Sequence, residues 1–147
     1  MDVKKVHAVE IANFFIRSGQ GKYSPLKIQK LIYIASLLHI RRFGKSLVRE
    51  SFQAWEYGPV ISTLYHKLKQ YGRLHVRRPI KTYDPAVLSD DQIEILKLVD
   101  ESFGCMPPSK LVRITHDKDG TWAKNYVAGA KVSIPEEDII EEARGIR

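Results

Sequence analysis

What the sequence lacks narrows the class of protein before any motif is considered. A single cysteine, Cys105, excludes a disulfide within the chain, which is typical of proteins in a reducing compartment. No apolar run reaches the ~18 residues that a membrane-spanning helix needs. The first ten residues, MDVKKVHAVE, are too charged for a secretory signal peptide. We therefore expect a cytoplasmic protein that makes no use of a membrane.

The chain also lacks the sequence motifs that are typical of catalytic, nucleotide-binding and metal-binding sites. It contains no phosphate-binding loop, dinucleotide-binding fingerprint or nucleophile elbow. Its five histidines and single cysteine are not spaced as zinc ligands. The acidic groups at Asp90-Asp91 and at residues 136–138 follow predicted helix starts, where the helix dipole favours carboxylates. The sequence thus predicts no catalytic residues, no metal and no cofactor, and an enzyme is the least favoured class.

What is present fits one globular domain with a positive charge. The chain has 147 residues, of which 44% are hydrophobic, enough to form one core across residues 1–147. Its formal net charge of +7 favours an acidic partner in general. Weak nonspecific binding to nucleic acid is compatible with that charge. Specific DNA reading is not favoured, because no short helix–turn–helix pair with a polar second helix is evident.

Apolar periodicity predicts a mainly α fold, a compact helical bundle around one central helix. Residues 25–42 are apolar on nearly every side, which indicates that this helix is the most buried. Ser24 before Pro25 is a typical helix start, and Gly44 a typical stop. We also predict a small two-stranded β ribbon that pairs residues 47–52 with residues 74–76, where polar and apolar residues alternate.

The remaining helices surround this central one. The first is predicted over residues 3–18, and the third begins at the break Gly58-Pro59. A fourth helix begins after Ser89, and a fifth begins at residues 107–109. One more helical turn is predicted over residues 121–126. The last helix spans residues 133–143, with Ser133 and Glu136 as a capping box.

Three segments, in order along the chain, carry a resemblance to a known family. They are LKIQKLIYIA at residues 26–35, FQAWEYGPV at residues 52–60, and LVRITH at residues 111–116 with Trp122 close behind. They resemble the "LKLQKLLYFA", "EAW-x-YGPV" and "LTH-x-x-x-PW" signatures of the Panacea domain family, which includes SocA-like antitoxins and phage-associated proteins. The chain departs mildly from these signatures. Gln53 replaces an acidic residue, Ile114 replaces a leucine, and Gly120-Thr121 stands where the family often has proline.

The resemblance implies an antitoxin that neutralises a cognate toxin protein by direct contact. It equally allows an adaptor that delivers the toxin to a protease, and a phage accessory role without a toxin. A nucleic-acid-binding regulator is the alternative from another class, and the positive charge alone supports it.

Most of the motif residues have a structural interpretation. We expect Trp55 and Trp122 to fill the core. Gly58 is expected to adopt an unusual backbone angle, and Pro59 to start a helix. Thr115 is expected to bond back to its own helix, and His116 to form a hydrogen bond with the turn at Tyr57-Gly58. The residues assigned to this structural group are Gln53, Ala54, Trp55, Gly58, Pro59, Val60, Leu111, Thr115, His116 and Trp122.

The third helix and its flanks supply the candidate partner contacts. Its apolar residues Ile61, Leu64 and Leu68 are spaced to face inward, which leaves a tyrosine-rich outer edge. Tyrosine and arginine dominate the energy of many protein interfaces. The predicted contact residues are Tyr57, Tyr65, Tyr71 and Arg73.

Overall fold

The computed structural model describes residues 3–82, 88–117 and 120–145, and over these the fold is mainly α, as predicted. Helices surround one long helix, and a small sheet covers one end of it. The helices are α1 (Ala8–Ser18), α2 (Pro25–Phe43), α3 (Ser62–Leu68), α4 (Asp90–Phe103), α5 (Pro108–Thr115), α6 (Thr121–Asn125) and α7 (Glu136–Arg144), with a 3-10 turn at Lys69–Tyr71 after α3. The strands are β1 (Gln53–Trp55), β2 (Gly58–Val60) and β3 (Val132–Ser133).

The central helix α2 has the position that its sequence predicts. The Ser24 hydroxyl accepts a hydrogen bond from the Lys27 amide at 3.2 Å, and Gly44 ends the helix at a φ of 70°. The helix packs against α1, α4, α5 and α7. Ile32 is fully buried and Leu38 packs against the core, so the prediction of a central buried helix is confirmed.

The sheet differs from the predicted ribbon in both its size and its segments. It has three antiparallel strands in the order β2-β1-β3, with Ala54 opposite Pro59 and Gln53 opposite Ser133. The ribbon predicted from residues 47–52 and 74–76 is wrong. Val48 makes only a single bridge to Val6, and Leu74 is 72% exposed. Polar and apolar residues alternate at residues 73–77, but of the two apolar residues only Val76 is buried. Its amide donates to the Tyr23 carbonyl, so it anchors a loop and not a strand.

The starts of three helices also differ from the prediction. Helix α1 begins at Ala8 and not at residue 3, because Val6 before it pairs with the segment at Val48. The Val6 amide donates to the Leu47 carbonyl at 2.9 Å. Pro59 lies in strand β2, so the third helix begins at Ser62 and not at the Gly58-Pro59 break. Ser133 lies in strand β3 and caps nothing, so the last helix begins at Glu136. At Pro59 and at Ser133, pairing with strand β1 overrides the local helix-start signal.

Helix α4 begins as predicted. The Ser89 hydroxyl accepts from the Gln92 amide at 3.1 Å, and the Gln92 side chain accepts from the Ser89 amide at 3.0 Å, which completes a capping box. Across the described residues, no helix combines the length and apolar character that a bilayer crossing requires.

Candidate functional site

Two neighbouring residues of α2 hold the backbone of the β1–β2 hairpin. The Lys30 ammonium donates to the Pro59 carbonyl at 2.8 Å. The Gln29 amide group donates to the Ile61 carbonyl at 3.1 Å and accepts from the Ile61 amide at 3.0 Å. Both side chains are buried, and both belong to the motif at residues 26–35. The inner edge of the hairpin is therefore satisfied by side chains, which leaves no buried backbone group unpaired at Ile61.

Lys30 is an unusual buried cation. Its side chain is fully inaccessible to solvent, and burial lowers the pKa of its ammonium from 10.5 to about 7. The pKa of His116 is also lowered, first by its own burial and then by the charge of Lys30. The first and last motifs are thus coupled electrostatically around the hairpin.

Gly58 is the point at which the three motifs meet. Its φ of +111° is a conformation that residues with a side chain resist. A Cβ at this position would lie 2.9 Å from the Lys30 ammonium and 2.9 Å from the Thr115 hydroxyl. That hydroxyl donates back to the Leu111 and Val112 carbonyls at 3.1 Å each. The predictions for Gly58 and Thr115 are confirmed.

His116 and Trp122 close the framework from the outside. Their rings stack with centroids 3.6 Å apart and an interplanar angle of 9°. The Trp122 indole donates to the Trp55 carbonyl at 2.5 Å. The hydrogen bond predicted from His116 to the turn at residues 57–58 is wrong for its Nε2 atom, which is buried and has no partner among the described residues. Stacking on Trp122, and not that hydrogen bond, positions the ring.

The other motif residues divide between the core and the surface. Ala54, Val60 and Leu111 are buried. Gln53 accepts a hydrogen bond from the Trp55 indole at 2.8 Å. Trp122 is half-buried against the core, whereas Trp55 is half-buried and faces outward, so the prediction that Trp55 fills the core is wrong. Strand alternation explains this placement, because Ala54 takes the inward position.

The segment that contains this framework is similar in sequence to known proteins. The family model described as "Antitoxin SocA-like, Panacea domain" matches residues 28–123, which include Gln29, Lys30, the hairpin and Trp122. The chain belongs to this family. This Panacea domain is also 29% identical over 133 aligned residues to Antitoxin SocA of Caulobacter vibrioides (strain NA1000 / CB15N), with 82% of this chain and 71% of the relative covered. No solved structure matches the chain.

The outer face of the hairpin of this Panacea domain forms one side of a groove of about 500 Å³. We call it the aromatic groove, after its large side chains Leu26, Trp55, Tyr57, Tyr65, Tyr126 and Val127. Trp55 and Tyr65 meet edge to face with centroids 4.7 Å apart, and the Lys131 ammonium lies 4.4 Å from the Trp55 ring centroid. Tyr57, Tyr65 and Val127 are 57%, 40% and 56% exposed. The groove therefore offers apolar and aromatic surface to a protein side chain.

Three of the four predicted contact residues share this groove. Tyr57, Tyr65 and Arg73 line it together. Tyr71 does not; it lies in an adjoining depression of about 610 Å³ that Arg73 also lines. The partner role of all four stays a prediction.

The sequence did not indicate the opposite wall of the groove. That wall comes from Tyr126, Val127 and Lys131, far along the chain from the hairpin. Strand β3 brings this segment close by pairing Val132 with Ala54.

Proposed function

We propose that this Panacea domain neutralises a toxin protein by binding it directly in the aromatic groove. The observation that carries the proposal is an exposed cluster of large aromatic side chains on a hairpin whose backbone the motif residues hold by hydrogen bonds. The activity is protein binding in the cytoplasm and needs no catalytic residue, metal or cofactor. The name of its relative, Antitoxin SocA, supports the antitoxin role.

The composition of the groove suits a protein partner. Tyrosine and tryptophan supply large contact area at low cost in side-chain entropy, and they dominate interface energetics. Soluble proteins rarely expose such residues together unless the surface binds something. Arg73 and Lys131 lie at the same groove and can pair with carboxylates of the partner.

The framework beneath the groove favours tight binding. Gln29 and Lys30 fix the backbone of the hairpin, and Trp122 bonds the Trp55 carbonyl on its other side. A surface held in its binding conformation loses less entropy on association than a mobile one. The net charge of +7 would also speed encounter with an acidic surface, and this contribution should fade with salt.

Co-expression tests the proposal. The product of a neighbouring gene should arrest growth when expressed alone, and this protein should rescue it. We expect Tyr65→Ala and Arg73→Ala each to weaken rescue and to lower the affinity for the purified toxin about 10-fold or more, as truncations of interface anchors do. Melting temperatures of both variants should stay near wild type, because both side chains are exposed.

Matched controls lie on other helices. Leu98 is 53% exposed on α4, and Arg113 is exposed on α5, both outside the groove. Leu98→Ala and Arg113→Ala should rescue fully. If these controls impair rescue as much as Tyr65→Ala does, the groove is not the binding surface.

The half-life of the toxin separates two modes of neutralisation. Direct blocking leaves the toxin intact in the complex, whereas an adaptor that recruits a protease shortens its half-life. We expect an unchanged half-life and inhibition that purified components reproduce. If no neighbouring product is toxic while one DNA sequence binds tightly at high salt, the protein is instead a nucleic-acid-binding regulator.

A further inference from the structure

A strongly basic stretch lies beside the aromatic groove. Residues 57–82 contain six lysines and arginines and no aspartate or glutamate. We call residues 73–81 the basic arm. Its four cations, Arg73, Arg77, Arg78 and Lys81, are all exposed.

Among the residues that the structure describes, the cations of the basic arm have no ion-pair partner, unlike Arg42 and Lys124 elsewhere in the fold. Elsewhere Arg42 lies 3.3 Å from Glu94, and Lys124 lies 3.2 Å from Asp138. No residue in the described part of the chain forms an ion pair or side-chain hydrogen bond with the four arm cations. Their charge is therefore available to a partner.

The basic arm has no regular secondary structure, yet its backbone is fixed at two points. The Val76 amide donates to the Tyr23 carbonyl at 2.8 Å, and Val76 is fully buried. Further along, Asn13 donates to the Ile80 carbonyl at 2.9 Å and accepts from the Ile80 amide at 2.6 Å. Arg77 and Arg78 lie between these anchors, so the arm presents them from a held backbone, and little order has to be gained on binding.

The arm continues the aromatic groove. Arg73 lines both the groove and the adjoining depression, which Arg77 and Arg78 also line. Leu74, at 72% exposure, lies in that depression among the cations. An exposed leucine has no counterpart on a phosphate backbone, whereas a protein segment can pack against it. The mixture of apolar and cationic surface therefore favours a polypeptide over nucleic acid.

We propose that the basic arm binds a carboxylate-rich stretch of the same toxin segment whose apolar anchor occupies the aromatic groove. This inference rests on the proposed function, because it assumes that the groove receives a partner. The partner is then a segment with one or more aromatic or aliphatic residues followed or preceded by several carboxylates. Arg73, shared by the two surfaces, marks where the apolar part meets the acidic part.

A randomised dodecapeptide library displayed on phage tests the proposal even before the toxin is identified. It is selected in parallel on wild type, on Tyr65→Ala, on Arg77→Glu/Arg78→Glu and on Lys110→Glu/Arg113→Glu. The last variant has the same change in net charge, at exposed positions of α5 outside the groove and the arm. Thermal melts that match wild type show that each variant is folded.

We expect peptides that bind wild type to combine an aromatic or aliphatic anchor with carboxylates. In the selection on Tyr65→Ala, the enrichment of apolar anchor residues should disappear. The enrichment of carboxylates should disappear only in the selection on Arg77→Glu/Arg78→Glu. A selected peptide should bind the arm variant at least ~10-fold more weakly at 50 mM salt, and within ~3-fold of wild type at 500 mM. The α5 control should bind like wild type.

Other outcomes overturn the proposal in distinguishable ways. Two results would show that the basic arm does not bind the peptide while the groove still does. In the first, the selected peptides contain apolar anchors but no enriched carboxylates. In the second, the arm variant and the α5 control lose the same amount of peptide affinity. If no peptide is enriched from the library, the arm is not a peptide-binding site. The co-expression assay then still tests whether the groove binds the toxin. If a labelled 20-base-pair DNA duplex binds at least ~10-fold tighter than the selected peptides at 150 mM salt and is lost in the arm variant, the arm is a nucleic-acid surface.

Discussion

The buried Lys30 makes stability depend on pH in a range where few other groups titrate. Burial lowers its pKa from 10.5 to about 7 in the folded protein, so the unfolded chain binds the proton more tightly. Above pH 10.5 both states are neutral and the cost is absent. As pH falls from 10.5 to 7 the cost grows, and below 7 it is complete. At about 1.4 kcal/mol for each tenfold change in proton affinity, the full cost is about 5 kcal/mol.

From these values we expect Lys30 to contribute a rise of about 2 kcal/mol to the wild-type free energy of unfolding between pH 7 and pH 9. Tyr23, whose pKa is raised chiefly by burial, adds a loss of stability only above about pH 10. His39 and His116, whose pKa values are lowered chiefly by burial, act below about pH 7. Lys27, whose pKa is lowered chiefly by burial, adds a rise of the same sign below pH 10.5, so the contribution of Lys30 is isolated by comparison with a Lys30 variant.

Lys30→Met removes the ammonium and keeps an unbranched side chain of similar length. It leaves the Pro59 carbonyl without its hydrogen bond, at a cost of about 1–3 kcal/mol. We expect the variant to be as stable as wild type or more stable at pH 7. Its advantage should shrink by about 2 kcal/mol at pH 9.

Urea unfolding at pH 7, 8 and 9 measures this difference, followed by circular dichroism and by the fluorescence of the two tryptophans. Variant and wild type share every other titrating group, so the change in their difference isolates Lys30. A difference that stays constant from pH 7 to 9 would refute the reasoning. It would mean that the ammonium keeps an ordinary pKa and is therefore hydrated.

Three further predictions use the same unfolding assay. Gly58→Ala should lower the free energy of unfolding by at least about 2 kcal/mol, because the added Cβ is strained at this positive φ and also contacts two side chains. The control Gly44→Ala, which has a positive φ but no atoms near the added Cβ, should lower it by about 1 kcal/mol. Equal losses in the two variants would contradict the contact argument. Gln29→Leu should cost roughly 2–4 kcal/mol, since it leaves two buried backbone groups of Ile61 unpaired; a neutral result would show that water replaces the side chain. Trp55→Ala should cost only about 1–2 kcal/mol, below the 3–5 typical of fully buried aromatics, while toxin binding is lost; a larger loss of stability would restore Trp55 to the core.

The sequence predicts the helices well where the signal is local. The central helix combines apolar residues on all sides with Ser24 before it and Gly44 after it. The start of helix α4 is likewise predicted correctly from its capping box. The sheet was mispredicted because its strands are only two or three residues long and two of them carry residues typical of helix starts. Gly58-Pro59 and Ser133 resemble helix starts, and only pairing with β1 shows that they are strands.

Only the part of the candidate groove that is formed by residues close in sequence could be predicted. Tyr57, Tyr65 and Arg73 are near one another in sequence, and the spacing of α3 was enough to predict an outer edge. The wall from Tyr126 to Lys131 depends on the third strand, which no local pattern announces. Lys30 gave no signal at all, since lysines on helices are usually exposed and its partner is a backbone carbonyl.

The way in which the hairpin is held has a consequence for how readily the surface can change. Gln29, Lys30 and Trp122 bond backbone carbonyl and amide groups, which every residue type except proline carries, and not the outward side chains. Substitutions at Tyr57 or Tyr65 can therefore reshape the groove while the scaffold stays intact. We expect the fold to tolerate extensive replacement at these outward positions, so that one architecture can be retargeted to toxins of different shape by a few surface changes.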